Sequence, residues 1–572
     1  MRHFFLAFCL AIVCVVTQAQ TASRSTIRVG MWTLWHDKDV TISSHGPAMF
    51  RVCETCPARQ FKSITVSFNH AGLVWTDDHG QSRPATELIV TGSYRISAHG
   101  ESLALGYPLK VTVQRGALTM IATLPIERYV ELVVAAESGA ADSQESLKAL
   151  AVVARSFALS PTHGHKGFDV CDSTHCQWLR WRSSVEAHAA TLATAGESLW
   201  LHGSRTAAYF HQNCGGRTAA ANEVWPARTG SGPVNLASRA DPYCQRVGSS
   251  EWSATISRAE LTEALAAAGL AAPGWKSVSV LQRGESGRAT VLLAGATKIP
   301  AEDFRLAVGR ALGWNRIRSN WFEISAQGDS FLFHGRGSGH GVGLCQVGAA
   351  EMAREGLSYR EILGQYFPGA TLGEVTTGAA WQTLTGAGFT LESSDPADTA
   401  YMPALSRALG DAESRSGLTP RTMITIRAYR STPAFRDATL APGWVAAFTE
   451  SDRIALQPLR VLASRKLMED TLRHEFLHVL VEEQATAHTP LWLREGLVEA
   501  WSGDALPQTQ RPAMTLDSIS EKLAQANSEM ESAAAHRAAN WYTRRLLDRY
   551  GRAQVLEWLR AGVPQNTLLS LR

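Results

Sequence analysis

Residues 137–159 read ESGAADSQESLKALAVVARSFAL, an acid, a short turn and then a helical pattern. Glu137 follows the apolar run Leu132-Val133-Val134-Ala135-Ala136, and apolar surroundings disfavour the charged form of a carboxyl. Asp142 and Glu145, three apart, are spaced like a capping box. Leu147, Leu150, Ala151, Ala154 and Ala158 then recur at the period of an α-helix. Lys148 and Arg155, seven apart, flank that stripe on nearly one line. The plain reading is a surface acid before an ordinary amphipathic helix. The functional reading is an acid held just before a helix that carries two cations on one edge.

Two more blocks bear on the choice. Residues 205–225 read RTAAYFHQNCGGRTAAANEVW, with Asp241-Pro242-Tyr243-Cys244 downstream. Residues 334–372 read HGRGSGHGVGLCQVGAAEMAREGLSYREILGQYFPGATL. Glycines this dense suggest a phosphate cradle, but neither G-x-G-x-x-G nor G-x-x-x-x-G-K fits. Gly339-His340-Gly341 instead puts an imidazole, with Gln346 beyond it, on a tight loop before a helix starting near Ala349.

All three blocks resemble the SpoIID/LytB family (stage II sporulation protein D, or amidase enhancer). Its members read roughly as an acid, a turn and ALKAQAVAARTYAL, then a Tyr with Gly-Gly-x-Thr, then GxGxGHGVGMSQxGA. Here Ala149-Leu150-Ala151 stands for AQA, Ser156-Phe157 for Thr-Tyr, Ser138-Gly139 for Met and a small residue, and Cys345 for the usual Ser. Leu124-Pro125-Ile126-Glu127-Arg128-Tyr129 is similar to the family's L-P-L-E-x-Y lead into the acid. The resemblance runs from about Thr26 to Leu372. It implies a peptidoglycan lytic transglycosylase with Glu137 as catalytic acid and base. It also implies a substrate-facing set of Lys148, Arg155, Ser156, Tyr209, Gly215, Gly216, His340 and Gln346 converging on that acid. Glu127 and Glu131 are the competing acids, but they lack the motif position.

The remainder sets the organisation. At 572 residues, 45% apolar and 19% charged, the chain exceeds one domain and can bury sizeable cores. The absence of basic runs interleaved with aromatics excludes a nucleic-acid partner. Residues 1–19 join Arg2 to thirteen apolar residues from Phe4 to Val16 and a small-residue exit at Ala19. That apolar core makes a helix of only ~20 Å, short of a bilayer, and reads as a secretory signal peptide. An uncleaved membrane anchor is the weaker alternative. The working domains are therefore expected outside the cytoplasm. The reading is multidomain α+β: a β-rich region at 20–125, a SpoIID/LytB core at 126–372, a linker at 373–389 and a mainly helical metallopeptidase-like domain at 390–572. Between Trp252 and Thr297 helix and strand cues alternate without chemistry.

Nine cysteines shape the rest. In a secreted chain Cys53 and Cys56, a C-x-x-C, are most simply a local disulfide. Residues 163–176, HGHKGFDVCDSTHC, hold two thiols and three imidazoles, suited either to zinc or to a Cys171–Cys176 disulfide. The family resemblance favours a zinc on His165, Cys171 and Cys176. Cys214 and Cys244 flank the Gly-Gly block, with a disulfide as the plainest reading, which leaves Cys345 as the spare thiol.

The C-terminal domain has its own motif. Thr471-Leu472-Arg473-His474-Glu475-Phe476-Leu477-His478 is H-E-x-x-H on a helix, so His474 and His478 share one face. Glu475 is rotated about 100° from His474, placed to act on water rather than on the metal. Glu495, within Trp492-Leu493-Arg494-Glu495-Gly496-Leu497-Val498-Glu499, is the natural third ligand of a zinc site with one open position. Glu499 then supports a ligand histidine by a hydrogen bond. The pattern resembles the gluzincin metallopeptidases, which implies Glu475 as general base and a peptide or protein substrate.

Three functions follow: a wall-glycan lyase joined to a zinc peptidase, a non-catalytic enhancer that binds peptidoglycan and stimulates a partner amidase, or a peptidase that its N-terminal region targets to the wall.

Overall fold

The computed structural model describes residues 26–571, apart from 70–71, 161–164, 227–235, 249, 442–444, 504–510 and 526–528. The expected signal peptide at 1–19 lies outside the described residues. Among those described, no helix is long and apolar enough to cross a membrane.

The β-rich start folds into an eleven-stranded, mostly antiparallel sheet. Its strands alternate inward and outward, as period-2 burial requires: Leu88, Val90, Tyr94, Ile96 and Ala98 of strand Leu88–Ala98 all face the core. Cys53 and Cys56 form the local disulfide. At one edge, strand Thr26–Met31 pairs antiparallel with Ala117–Pro125 and parallel with Val170–Cys171, which moors the cysteine loop to the sheet.

Strand Ala117–Pro125 runs straight into helix α1 (Ile126–Glu137), whose first turn follows Pro125. Residues Tyr129, Val130, Leu132, Val133 and Val134 of α1 are all buried. A helix buried on nearly every side, its acids Glu127 and Glu131 included, lies inside a core, so only its last turn reaches an open cleft. Helix α2 (Gln144–Ala158) packs beside it and is nearly as buried. The capping box of α2 is Ser143 with Ser146, not Asp142 with Glu145. Asp142 instead accepts from the Gly139 N–H and the Ser146 hydroxyl, which holds the turn after Glu137.

Between the second and third signature blocks stands a module with its own core, built on Trp252, Phe304, Phe322 and Phe333. It has two three-stranded sheets and the helices Arg258–Ala267 and Ala301–Leu312.

The C-terminal domain is mainly helical, and it also contains a sheet that the sequence reading did not include. Beside its helices lies a five-stranded sheet, with three parallel central strands and antiparallel strands at both edges. The segment expected as a linker is built into structure rather than left as a free tether. Thr371–Glu374 pairs with Glu197–Leu201, Trp381 is buried, and Gln382–Thr385 is the outer strand of the C-terminal sheet.

Candidate active site

Because α1 ends at Glu137, its last carbonyls have no partner inside the helix. The Gln346 side-chain amide donates to the Glu137 carbonyl at 3.0 Å, so the third signature block grips the end of α1. The carboxyl itself accepts from the Trp178 backbone N–H at 3.3 Å. Burial pushes it up to about 7, over the opposing pull of that N–H and of Arg180. Glu137 borders two adjoining cavities, of about 1100 Å³ and 260 Å³. Tryptophans 32, 35, 178, 181 and 314 wall the larger one. His340, Tyr209 and Gln346 line the smaller one with Glu137.

The competing acids are engaged elsewhere. Glu127 is clamped by the fully buried Arg155 at 2.5–3.1 Å, and Glu131 lies 2.5 Å from Arg128 and 3.2 Å from His188.

The structure brings Tyr209, His340 and Gln346 together with Glu137, but not the rest of the expected set. Arg155 does not face the cavity; Glu127 and the Glu197 carbonyl hold it inside. Ser156 is buried, donating to the Val152 carbonyl and accepting from the Leu199 N–H. Lys148 pairs with Glu145 and lies over the Tyr359 ring. Gly215 and Gly216 adopt φ of +71° and +97°, packed against Arg336 and Gln245 rather than lining either cavity.

The Gly-His-Gly loop has a steric reason. Gly341 and Gly343 sit at φ of +83° and +76°, where a Cβ would meet the Arg288 guanidinium at 2.6 Å and the Tyr209 carbonyl oxygen at 2.1 Å. His340 Nδ1 accepts from the Val342 N–H at 3.0 Å, so the proton of the neutral ring is on Nε2. Burial lowers this imidazole to about 4, which keeps it neutral at physiological pH.

Two site features were not legible in the sequence. Asp172, raised to about 6 by burial, lines the larger cavity and accepts from the Trp32 N–H at 2.8 Å, tying down the loop that carries Trp32 and Trp35. The middle module supplies Trp314, Asn315 and Arg318 to the opposite wall.

Behind the Trp178 strap, His165, Cys171, His175 and Cys176 present ligand atoms all within 4.8 Å of one another. The sulfurs are free thiols 3.2 Å apart, and His165 Nε2 is 3.1 Å from Cys176 Sγ. Two thiols and two imidazoles make a complete tetrahedral donor set, with His175 joining the three expected ligands. A zinc bound there would have a structural role, since the chain runs on from Cys176 to Gln177, bonded to Tyr129, and to Trp178 on Glu137. For the glycan cleavage proposed below, chelation or Cys176→Ser is expected to cost about 10²-fold by displacing that N–H, with recovery on adding zinc to the chelated parent. Unchanged cleavage after metal loss confirmed by elemental analysis argues against this role.

In the C-terminal domain His474 and His478 project from helix Met468–Glu482 with their Nε2 atoms 3.1 Å apart. Glu495 Oε2, from helix Leu491–Ser502, lies 3.8 Å from His478 Nε2 and is buried without a hydrogen-bond partner among the described residues. A buried carboxylate oxygen that faces the imidazoles of His478 and, at 3.7 Å, His536 without a hydrogen bond to either fits a cation. Glu475 is buried and accepts from the Thr449 hydroxyl at 2.5 Å. Glu499 does not hold a ligand histidine as expected. Its carboxylate meets His536 at 3.2 Å, a residue far along the chain and outside either motif.

Comparison with known proteins agrees with the N-terminal geometry. Residues 114–200, which contain α1 and α2, match the SpoIID family (stage II sporulation protein), and residues 245–343 match a domain of unknown function, DUF8618. An uncharacterized protein of Brachyspira hyodysenteriae is 31% identical over 260 residues, covering 45% of this chain and 68% of that protein. Stage II sporulation protein D of Bacillus subtilis is 28% identical over 49% of this chain and 84% of its own length. The amidase enhancer of Bacillus subtilis is 26% identical over 41% of this chain and 39% of its own length. The class is thus a multidomain α+β protein with an acid-bearing cleft. Through its N-terminal part, the chain is similar to the SpoIID family.

Proposed function

We propose that the N-terminal region acts on the bacterial cell wall as a lytic transglycosylase, cutting peptidoglycan glycan strands without water. The observation that carries this reading is the Glu137 carboxyl, pushed up to about 7 by burial and bordering an aromatic-walled cleft of about 1100 Å³. Flat amphipathic rings give apolar contact area at low entropic cost, which suits sugar faces. Protonated Glu137 gives its proton to the glycosidic oxygen as the bond to the leaving sugar breaks. The carboxylate so formed then takes the proton of the C6 hydroxyl while that oxygen closes on C1, leaving a 1,6-anhydro end and restoring the acid. The named relatives support a wall-related role, and the expected signal peptide supports action outside the cytoplasm. Digestion of purified sacculi tests it: 1,6-anhydro-muropeptides are expected from the chain alone. Soluble products that appear only when an N-acetylmuramoyl-L-alanine amidase is added favour the enhancer reading, which the amidase-enhancer relative supports.

For the C-terminal domain we propose a zinc peptidase site with His474, His478 and Glu495 as ligands. Zinc there supplies Lewis-acid activation of water and of a peptide carbonyl. Glu475, steadied by Thr449, takes the water's proton and passes it to the leaving amine. Glu475→Gln is expected to keep the metal and lose peptide turnover ~10²–10⁴-fold, whereas His474→Ala or His478→Ala loses one zinc equivalent. Equal metal loss in all three variants contradicts these roles. A casein digest with intact glycan supports the third reading, a peptidase targeted to the wall.

A further inference from the structure

We propose that Cys214, Cys244, Cys345 and Asp241 form a second, fully buried metal site in the N-terminal region, taking a thiophilic divalent cation of the zinc type. The four ligand atoms lie within 4.8 Å of one another, and all four residues are buried. Thiolates on one tetrahedral zinc stand about 3.8 Å apart, given Zn–S bonds of ~2.3 Å, so little movement is needed to close the shell.

Three observations favour a cation over the disulfide expected between Cys214 and Cys244. All three cysteines are free thiols, and a disulfide uses two of them while leaving the third buried beside a carboxylate. Asp241 is 1% exposed, yet no cationic side chain among the described residues pairs with it. It accepts instead from the Tyr366 hydroxyl at 2.9 Å, the Cys244 N–H at 3.0 Å and the Cys214 thiol at 3.2 Å. A buried carboxylate without a countercharge is costly, and a divalent cation supplies one. One sulfur is also placed as an anion prefers: Cys345 Sγ, at the start of helix Gln346–Arg354, accepts from the Cys214 N–H at 3.2 Å and the Gly348 N–H at 3.4 Å. Arg288, fully buried, turns its guanidinium to the Cys214 and Arg217 carbonyls and adds positive charge nearby.

The site joins chain segments that are distant in sequence. Cys345 directly precedes Gln346, whose amide grips the end of α1, so the cation fixes the Gln346 backbone from behind. This role is distinct from that of the His165 cluster, which holds the Trp178 side of the acid.

The test is elemental analysis of the purified full chain against Cys214→Ser, Cys244→Ser, Cys345→Ser and Asp241→Asn, with a non-reduced peptide map of the parent. Each cysteine variant is expected to carry one metal equivalent less than the parent. Asp241→Asn keeps the shape and serves where cysteine variants do not accumulate folded; its metal is expected to leave at lower chelator concentration. The parent map is expected to show all three cysteines unbridged. Parental stoichiometry and chelator resistance in the variants, or a disulfide joining any two of the three cysteines, overturns the proposal.

Discussion

Glu137→Gln is expected to lower the yield of 1,6-anhydro-muropeptides from sacculi by ~10²–10⁴-fold, the usual contribution of a general acid–base group. The amide cannot give up a proton to the glycosidic oxygen, while its shape and its contact with the Trp178 N–H remain available. Binding to sacculi is therefore expected to persist, which separates lost chemistry from lost affinity. The parent's pH profile should carry the same signature. The proton donor is present below a pKa of about 7 and disappears above it, so cleavage falls as pH rises through that value. Stability has a definite sign as well. Burial raises this carboxyl from 4.5 to about 7, so between those values the folded state binds more protons than the unfolded. The contribution is thus largest at low pH and shrinks as pH rises toward 7. At pH 8 the glutamine variant should melt no lower than the parent. Parental product yield in a folded Glu137→Gln chain rules out the acid assignment. A lower melting temperature at pH 8 makes Glu137 a structural residue.

Why Glu137 was legible while five of its eight expected companions were not comes down to what a one-dimensional pattern encodes. Five apolar residues before an acid place the acid at the end of an apolar segment, though they do not say that the segment is a helix. The Gly-His-Gly-Val-Gly loop was readable too, because close backbone approaches leave glycines at particular positions. Arg155 shows the limit. Helical phase put it on one line with Lys148, but whether a cation on a helix edge faces a cleft or a buried carboxylate depends on which element packs there. Here that element brings Glu127, whose spacing of 28 residues from Arg155 has no local signature. Trp314, Asn315 and Arg318 were missed for the same reason: a module that reads as bare helix and strand cues becomes a cleft wall only once folded against the core. The C-terminal sheet was missed because its strands are only four or five residues long, too short to outweigh the H-E-x-x-H helix in the pattern.

The junction between the two halves of the chain carries the second large effect: Arg427→Ala is expected to cost about 3–5 kcal/mol, as breaking a buried pair from one side does. Arg427 comes from a central strand of the C-terminal sheet and is 3% exposed. It donates to Glu197 Oε1 at 2.7 Å and to the Ala193 carbonyl at 3.0 Å, both in the N-terminal region, and to Glu392 at 3.1 Å in its own domain. Its guanidinium lies 3.8 Å from the centre of the Trp381 ring, in the segment that joins the domains. Without it, Glu197, which is 0% exposed, keeps only the Tyr359 hydroxyl and Arg360. Lysine should rescue poorly, because a point charge cannot serve two carboxylates, a carbonyl and a ring face together. Glu197→Gln combined with Arg427→Met should recover part of the loss, since the charge of the fully buried Glu197 is then gone, while the partly exposed Glu392 still lacks its partner. Unfolding need not be two-state in a chain with several domains, so the readouts are calorimetric transitions and the rate of proteolysis between residues 375 and 381. Arg427→Ala should lower the transition of both halves, open that segment to cleavage, and do so equally at low and high salt, because a buried pair is little screened. A change within about 0.5 kcal/mol of the parent, the range of an ordinary surface substitution, or an effect that salt abolishes, would mean that the two domains are not held together by this pair.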